Sequence, residues 1–109
     1  MSNSDAYLRG ILSVVARQAI PPDQLASQVG VGKTKLKQIE AYNLCDGSLT
    51  QGEVAKQLGI DSGNFSKTIA RWSDDGLIVR TEVSGQMRPV HLYPISAAVI
   101  KKFEKGDPA

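Results

Sequence analysis

The chain has 109 residues, of which 41% are hydrophobic and 22% charged, and its formal net charge is +2. These values are ordinary for one globular domain with a sizeable core, and so small a net charge neither requires nor excludes nucleic acid as a partner. The single cysteine, Cys45, excludes an internal disulfide, and neither it nor the single histidine, His91, has metal-ligand spacing around it. No apolar run approaches the ~20 residues of a membrane span, and the N-terminus lacks a signal-peptide pattern. We therefore expect a cytoplasmic protein without a metal or another cofactor.

Two helices are predicted in an N-terminal extension over residues 4–32. The first starts at Ser4 or Asp5 and ends near Ala19, because the residue before a proline is pushed out of the helical region and Ile20 precedes two prolines. Its apolar residues recur with helical periodicity at Leu8, Ile11, Leu12, Val15 and Ala19. The second is a short helix capped by Asp23. Its inward residues are Leu25, Ala26 and Val29.

A third helix is predicted from Lys33 to about Cys45, with Leu36, Ile39 and Tyr42 inward. Its first turn carries three cations, Lys33, Lys35 and Lys37. Cations at a helix N-terminus oppose the helix dipole, and contact with phosphates would offset that cost. A merely solvated basic turn is an equally good interpretation.

Residues 25–47 and 54–76 form a weak internal repeat in which alanine, glutamine, glycine and a final Asp-Gly coincide. One interpretation is a second, DNA-contacting helix-turn-helix over residues 23–44. The other, which we favour, is that any short pair of helices joined at a glycine uses the same capping residues.

Residues 49–78 read as two helices joined by a tight turn. Thr50 and Glu53 have the spacing of a capping box, and Val54, Ala55 and Leu58 share one helical face. Gly59 ends the first helix, because glycine accepts the left-handed conformation that a C-terminal cap often needs. Asp61 caps the second helix, whose apolar stripe is Phe65, Ile69 and Trp72.

The outward face of this second helix has residue types that suit a DNA major groove. Its members are small, polar or basic: Ser62, Gly63, Asn64, Ser66, Lys67, Ala70 and Arg71. The alternative is an ordinary antiparallel helix pair whose outward face is simply solvated.

A hairpin and a last helix complete the chain. The strands are predicted over residues 77–83 and 90–93, with a tip over residues 84–88 and with Pro89 at a strand start or an edge. The polar and basic groups of the hairpin are Arg80, Gln86 and Arg88. We expect His91 to face solvent. The last helix spans residues 97–105 and has an apolar face made of Ala98, Val99 and Phe103.

This order of elements is that of a winged helix-turn-helix. We predict a mainly α fold with a small β-hairpin, extra N-terminal helices and a short C-terminal helix, in a single domain over residues 1–109 with its core at 33–96. Residues 39–96 resemble the DNA-binding core of the MarR (multiple-antibiotic-resistance regulator) family. The resemblance is carried by LT-x-x-E-V-A-x-x-L-G-I, by D-G-L-I after the second helix, and by an arginine-containing wing before V-H-L-Y-P-I-S.

The resemblance implies that the helix starting at Ser62 enters the major groove and that the wing reaches phosphate or the minor groove. By position, it implicates Ser62, Gly63, Asn64, Ser66, Lys67 and Arg71 on the helix, with Gln86 and Arg88 on the wing. The Asp-Arg pair usual in the family's wing is absent here, where Gln86-Met87 precede Arg88. The flanking helices are also shorter than those of the family.

The leading hypothesis is a sequence-specific double-stranded DNA-binding protein that regulates transcription. Lys67 and Arg71 would contact phosphate or guanine, and Asn64 would read adenine. Ser62, Ser66 and the free amides of the helix start would bind phosphate. Further positive charge would come from Arg80, Arg88, Lys33, Lys35 and Lys37.

Three questions stay open from the residues alone. The terminal helices either form a homodimer, as a two-fold DNA site would require, or pack on their own domain. The winged helix could instead be a protein-protein interaction module of a larger assembly, an alternative that the acidic Asp74-Asp75 pair favours. An enzyme is disfavoured, because the chain has no catalytic triad, paired carboxylates or phosphate-cradling loop.

Overall fold

Residues 3–104, the part of the chain that the computed structural model describes, form six α-helices and one antiparallel hairpin. The elements are α1 (Asn3–Ala19), α2 (Pro22–Val29), α3 (Lys35–Leu44), α4 (Gln51–Leu58), α5 (Ser62–Asp74), β1 (Ile78–Val83), β2 (Gln86–His91) and α6 (Ala97–Glu104). Lys105, the predicted end of the last helix, lies outside the described residues.

The boundaries of the N-terminal helices differ from the prediction. α2 starts at Pro22, since a missing N–H costs nothing in the first turn of a helix. Asp23 is therefore not the cap. It lies inside the first turn, where its carboxylate is 3.2 Å from Nζ of Lys102 on α6. The basic segment, which carries Lys33, Lys35 and Lys37, begins as a 3-10 turn over Gly32–Thr34 before α3. Leu36, expected inward, is exposed.

The core forms where α2, α3 and α6 pack with the helix-turn-helix. Most of the inward residues predicted on these helices are buried, and Leu58 is partly buried. The buried ones are Leu25, Ala26, Val29, Ile39, Tyr42, Val54, Ala55, Phe65, Ile69, Trp72 and Val99. Tyr42 and Trp72 meet edge to face, with ring centroids 5.2 Å apart. The Tyr42 hydroxyl donates to the Leu77 carbonyl at 2.7 Å and accepts from the Leu92 amide at 3.1 Å. One phenol on α3 thus holds both ends of the hairpin.

The hairpin turns more tightly than its sequence predicts. Val83 pairs with Gln86, so the loop is only Ser84-Gly85, both with positive φ, as in two-residue hairpin turns. The second strand consequently runs from Gln86 to His91 and includes Pro89. The Pro89 carbonyl accepts from the Gly47 amide, on the side of β2 that faces away from β1. The proline nitrogen shares that side, where only a one-residue bridge between Asp46 and Val90 adds to the sheet.

His91 is buried rather than solvent-facing, which corrects the prediction. Its ring centroid is 5.7 Å from that of Tyr42, and no described residue forms a hydrogen bond with its Nδ1. Burial lowers the pKa of His91, Arg9 on α1 adds to that effect, and Asp46 opposes it. The neutral imidazole is therefore the form that the fold accommodates.

The terminal helices differ in how they pack. On α6, Val99 is buried, Ile100 and Phe103 are partly buried, and only Ala98 of the predicted face is exposed. On α1, Ala16 is the buried residue, whereas most of the predicted stripe lies in solvent. The exposed large side chains of α1 are Tyr7, Leu8, Ile11, Val14 and Val15, each more than half exposed. The alternative in which this stripe packs on its own core is wrong for α1.

The junction between α2 and α3 leaves no room for a side chain at Gly30. A Cβ there would lie 2.7 Å from the Lys35 carbonyl oxygen and 3.0 Å from Ile39. We expect Gly30→Ala to lower the free energy of unfolding by about 1–3 kcal/mol, the usual cost of overpacking. Denaturant titration checks this, with Gly52→Ala as the control because that site on α4 has open space around it. Equal stabilities of the two variants would contradict the packing argument.

The depressed pKa of His91 predicts a pH dependence of stability. Above about pH 6.5, the ordinary pKa of histidine, the residue is neutral in both folded and unfolded chains. Below it, the unfolded chain binds the proton first, so stability falls as the pH drops towards the lowered folded-state pKa. We expect the free energy of unfolding to fall more steeply below pH 6.5 for the native chain than for His91→Gln. Parallel pH profiles from urea titrations would refute this.

Candidate nucleic-acid interface

The helix-turn-helix is built by local caps, as its sequence predicts. The Thr50 side chain accepts from the Glu53 amide at 3.2 Å, and the Glu53 carboxylate accepts from the Thr50 amide at 2.8 Å. These contacts with Thr50 hold the pKa of Glu53 below its ordinary value. Gly59 takes the left-handed conformation with φ of 66°, which turns the chain after α4. The Asp61 carboxylate then accepts from the Asn64 amide at 3.0 Å and caps α5.

α5 buries one face and exposes the other. Phe65, Ile69 and Trp72 point into the core. Six of the seven residues predicted to face outward are exposed: Ser62, Gly63, Asn64, Ser66, Lys67 and Ala70. No terminal segment within residues 3–104 covers them. The exposed surface is thus a polar ridge with one cation near its middle and small side chains on either side of it.

Arg71, the seventh, does not belong to this ridge. Its guanidinium turns back towards the N-terminal part of the protein and is partly buried. It donates to the carbonyls of Gln28 and Val29, both at 2.8 Å, and to Oε1 of Gln38 at 3.0 Å. Arg71 is therefore held by the protein's own backbone. A signal for this lay in the sequence, since residue 71 precedes the buried Trp72 and shares a flank of the helix with Thr68.

A shallow groove of about 320 Å³ separates the start of α5 from the start of α3. Asn64 and Thr68 line one wall, and Thr34, Lys37 and Gln38 line the other. The Lys37 ammonium donates to the Leu58 carbonyl at 3.3 Å, so it lies beside the turn of the helix-turn-helix.

The other two lysines of the basic segment lie elsewhere. Lys33 is exposed in the 3-10 turn, and the Lys35 ammonium lies over the Phe103 ring on α6, 5.5 Å from its centroid. The structure therefore separates three cations that the sequence places together. Lys37 alone among them lines the groove beside α5.

The polar residues of the wing lie at different distances from its tip. Gln86 adjoins the tip and is exposed, as is Arg80 further down β1. Arg88 lies midway along β2, opposite Thr81, and its Nη1 donates to the Ser48 carbonyl at 2.7 Å. Its Nε is buried and forms no hydrogen bond with any described residue.

Gln51 is a functional candidate that sequence reasoning did not identify. Its side-chain amide donates to the Ser66 hydroxyl at 3.1 Å, so it joins the first turn of α4 to the exposed ridge of α5. Gln51 also borders a small pocket whose other walls include Arg80 and Arg88 of the wing. The start of α4 therefore connects the helix ridge with the wing. Its position one residue after the Thr50 cap, where amides point outward, was the available signal.

Comparison with known proteins supports the architecture. The family model described as the MarR family matches residues 42–88, from the end of α3 to the wing. A crystal structure described as that of "the predicted DNA-binding transcriptional regulator from E. coli" is similar over 88% of this chain and 96% of its own, with 20% identity and a TM-score of 0.52. The chain has a winged-helix fold, and its residues 42–88 are similar to the MarR family. The winged helix-turn-helix predicted from the sequence is thus confirmed. No curated protein matches the chain.

Over residues 3–104, no three histidine, cysteine or acidic side chains are grouped so as to hold a metal ion. No helix in that range has the length and apolar character of a membrane span. Burial raises the pKa of Cys45 to about 12, so its thiol stays protonated at neutral pH and is a poor nucleophile.

Proposed function

We propose that this MarR-like protein binds double-stranded DNA sequence-specifically and regulates transcription. α5 would enter the major groove, and the wing over residues 80–92 would reach the backbone or the minor groove. The observation that carries the proposal is the exposed ridge of α5, which is polar, free of large apolar groups and uncovered by residues 3–104. A helix of this kind fits the major groove, whose width admits an α-helix. The similarity of residues 42–88 to the MarR family adds support.

Different residues of the ridge would make different contacts with DNA. Lys67, near its centre, would contact a phosphate or a guanine edge, and the exposed amide of Asn64 would read adenine. Ser62 and the free amides of the first turn would bind phosphate, as helix N-termini do. Because Ser66 accepts its hydrogen bond from Gln51, its own hydroxyl hydrogen stays available to a phosphate oxygen.

Residues on either side of the α5 ridge would supply further positive charge. Arg80 is exposed on the wing, and Lys37 adjoins the turn before α5. Arg88 keeps one terminal nitrogen on Ser48. A phosphate beside Arg88 would therefore complete its hydrogen-bond partners.

We further propose that the protein acts as a homodimer joined through α1. One winged helix covers few base pairs, so reading a two-fold site requires two copies. The exposed side chains of Tyr7, Ile11 and Val14 form an apolar surface of the kind that marks protein contacts. Gly10 lies between them on this face with open space around it, so a second helix could approach closely.

The salt dependence of binding tests the DNA proposal. Each phosphate contact steepens the decline of log affinity with log salt concentration by about 0.9. We expect Lys67→Ala to weaken binding and to make this slope shallower by about that amount if Lys67 contacts a phosphate. Lys101→Ala, which removes an exposed cation from α6, is the charge-matched control and should change neither. Fluorescence anisotropy with sites selected from a random duplex pool provides both measurements.

If the native chain fails to retard random duplex even at low salt, the DNA proposal is wrong. That result would favour a protein-protein interaction module instead. The exposed Asp74 and Asp75 at the end of α5 would then form part of the contact surface.

The dimer proposal predicts that one charge on α1 separates the protomers. Ile11→Asp places a carboxylate in the middle of the apolar face, so we expect a monomer where the native chain is a dimer. Met87→Asp, on the exposed wing, should leave the dimer intact. Light scattering at micromolar concentration distinguishes the species. A monomeric native chain at that concentration would exclude the proposed dimer.

A further inference from the structure

The last turn of α2 is capped by side chains from α5. The final carbonyls of a helix have no partner within it, and in α2 two of these belong to Gln28 and Val29. Arg71 donates to both, at 2.8 Å each. Trp72 donates its indole N–H to Val29 at 3.0 Å. Two consecutive residues of α5 therefore supply the hydrogen bonds that the end of α2 lacks.

The electrostatics of this contact favour a cation. The carbonyl end of a helix carries partial negative charge, and the guanidinium is planar with several donors in a fixed arrangement. Gln38 of α3 adds a third acceptor at 3.0 Å, and its side-chain amide also exchanges hydrogen bonds with both backbone groups of Val31. The guanidinium thus touches α2 and α3 at once. A lysine would keep the charge but could not reach these three oxygens in the same geometry.

This contact fixes the rotation of α5 about its own axis. Arg71 follows Asn64 by seven residues and Thr68 by three, so the three lie on one flank of the helix, about 10 Å from end to end. The buried Phe65, Ile69 and Trp72 hold the adjacent face, but apolar contacts tolerate small rotations. Hydrogen bonds from Arg71 to two backbone carbonyls resist rotation because their geometry is directional.

We propose that Arg71 is a positioning residue, which sets the angle at which α5 presents Asn64 and Lys67 to DNA and does not itself contact DNA. The inference rests on the proposed function and revises its sequence-based form, in which Arg71 touches phosphate or guanine. It also gives α2 and the Gly30 junction a role in base discrimination, although neither is part of the exposed ridge. Discrimination depends on the orientation of base-reading groups, whereas non-specific affinity depends chiefly on charge.

A phosphate-contacting role and a positioning role for Arg71 predict different effects of Arg71→Lys on DNA binding. If Arg71 contacts a phosphate, lysine largely preserves affinity, and Arg71→Ala makes the salt slope shallower by about 0.9. If Arg71 positions α5, Arg71→Lys lowers the ratio of specific to non-specific affinity by about tenfold, the scale of one lost base contact. In that case the salt slope of non-specific binding stays as it was for both variants.

Gln38→Ala is a second variant that keeps every cation and removes one acceptor of Arg71. We expect it to lower the specificity ratio in the same direction as Arg71→Lys, by a smaller factor. Lys67→Ala serves as the contrast, since it should make the salt slope shallower. A shallower slope for Arg71→Ala, with an unchanged specificity ratio for Arg71→Lys and Gln38→Ala, would overturn the proposal.

Measurements on the free protein separate this inference from the DNA proposal. Trp72 is the single tryptophan of the chain, and its indole shares the Val29 carbonyl with Arg71. We expect Arg71→Lys to shift the tryptophan emission and to speed amide hydrogen exchange in residues 62–74 by several-fold, with the helix content retained. These changes support the contact even if DNA binding fails for the native chain. Unchanged emission and exchange would refute the positioning role whatever the DNA results.

Discussion

The carbonyl of Val29 joins the N-terminal extension to the second helix of the helix-turn-helix. It accepts hydrogen bonds from both the Trp72 indole and the Arg71 guanidinium, at the buried C-terminal end of α2 and beside the apolar stripe of α5. An unpaired carbonyl at a buried helix end would cost free energy, so α2 needs α5 to complete it. The recognition-type helix is correspondingly held against a neighbour that the minimal helix-turn-helix does not contain. The N-terminal extension is therefore a structural support for α5.

The hairpin is held by a comparable arrangement on the other side of the core. Tyr42, on α3, bonds to the chain just before β1 and just after β2. Burial raises the pKa of Tyr42 well above its ordinary value, so the phenol keeps its proton and can both donate and accept. At the outer edge, the Cys45 carbonyl and the Gly47 amide bond to His91 and Pro89. The base of the wing is thus fixed by α3 and the segment after it, while its tip at Ser84-Gly85 projects into solvent.

α1 stands apart from this framework. Ala16 is buried, the Arg17 guanidinium lies 4.7 Å from the Tyr93 ring centroid, and the Tyr93 hydroxyl donates to the Ile20 carbonyl. These contacts secure its C-terminal end. The rest of the helix presents a broad apolar surface that its own core does not use. A segment of this composition is stable in water only at some cost, and association with another copy would remove that cost.

The local elements of the helix-turn-helix follow from the sequence alone, because their signals act over a few residues. The Thr50–Glu53 capping box, the turn at Gly59, the Asp61 cap and the stripe of Phe65, Ile69 and Trp72 are all set by neighbours in the chain. Periodicity placed the apolar faces of α2 and α4 equally well. The alternating segments around a turn-rich tip indicated the hairpin, and the order of the elements indicated a winged helix-turn-helix. The resemblance to the MarR family then added the expected roles of α5 and the wing.

The tertiary structure decided the burial and the hydrogen-bond partners of residues at the edges of those apolar faces. The sequence predicts that Arg71 is an outward-facing cation. In the structure it donates to two carbonyls of α2, which are more than forty residues away in sequence. The sequence predicts a solvent-facing His91, but Tyr42 and α1 enclose it in the folded chain. Among the described residues, most of the periodic stripe of α1 stays exposed, and Leu12 is half-buried. Sequence patterns report the preference of a residue for apolar or polar surroundings. Which group lies opposite is settled only when distant segments pack, because only then do hydrogen-bond partners and burial exist.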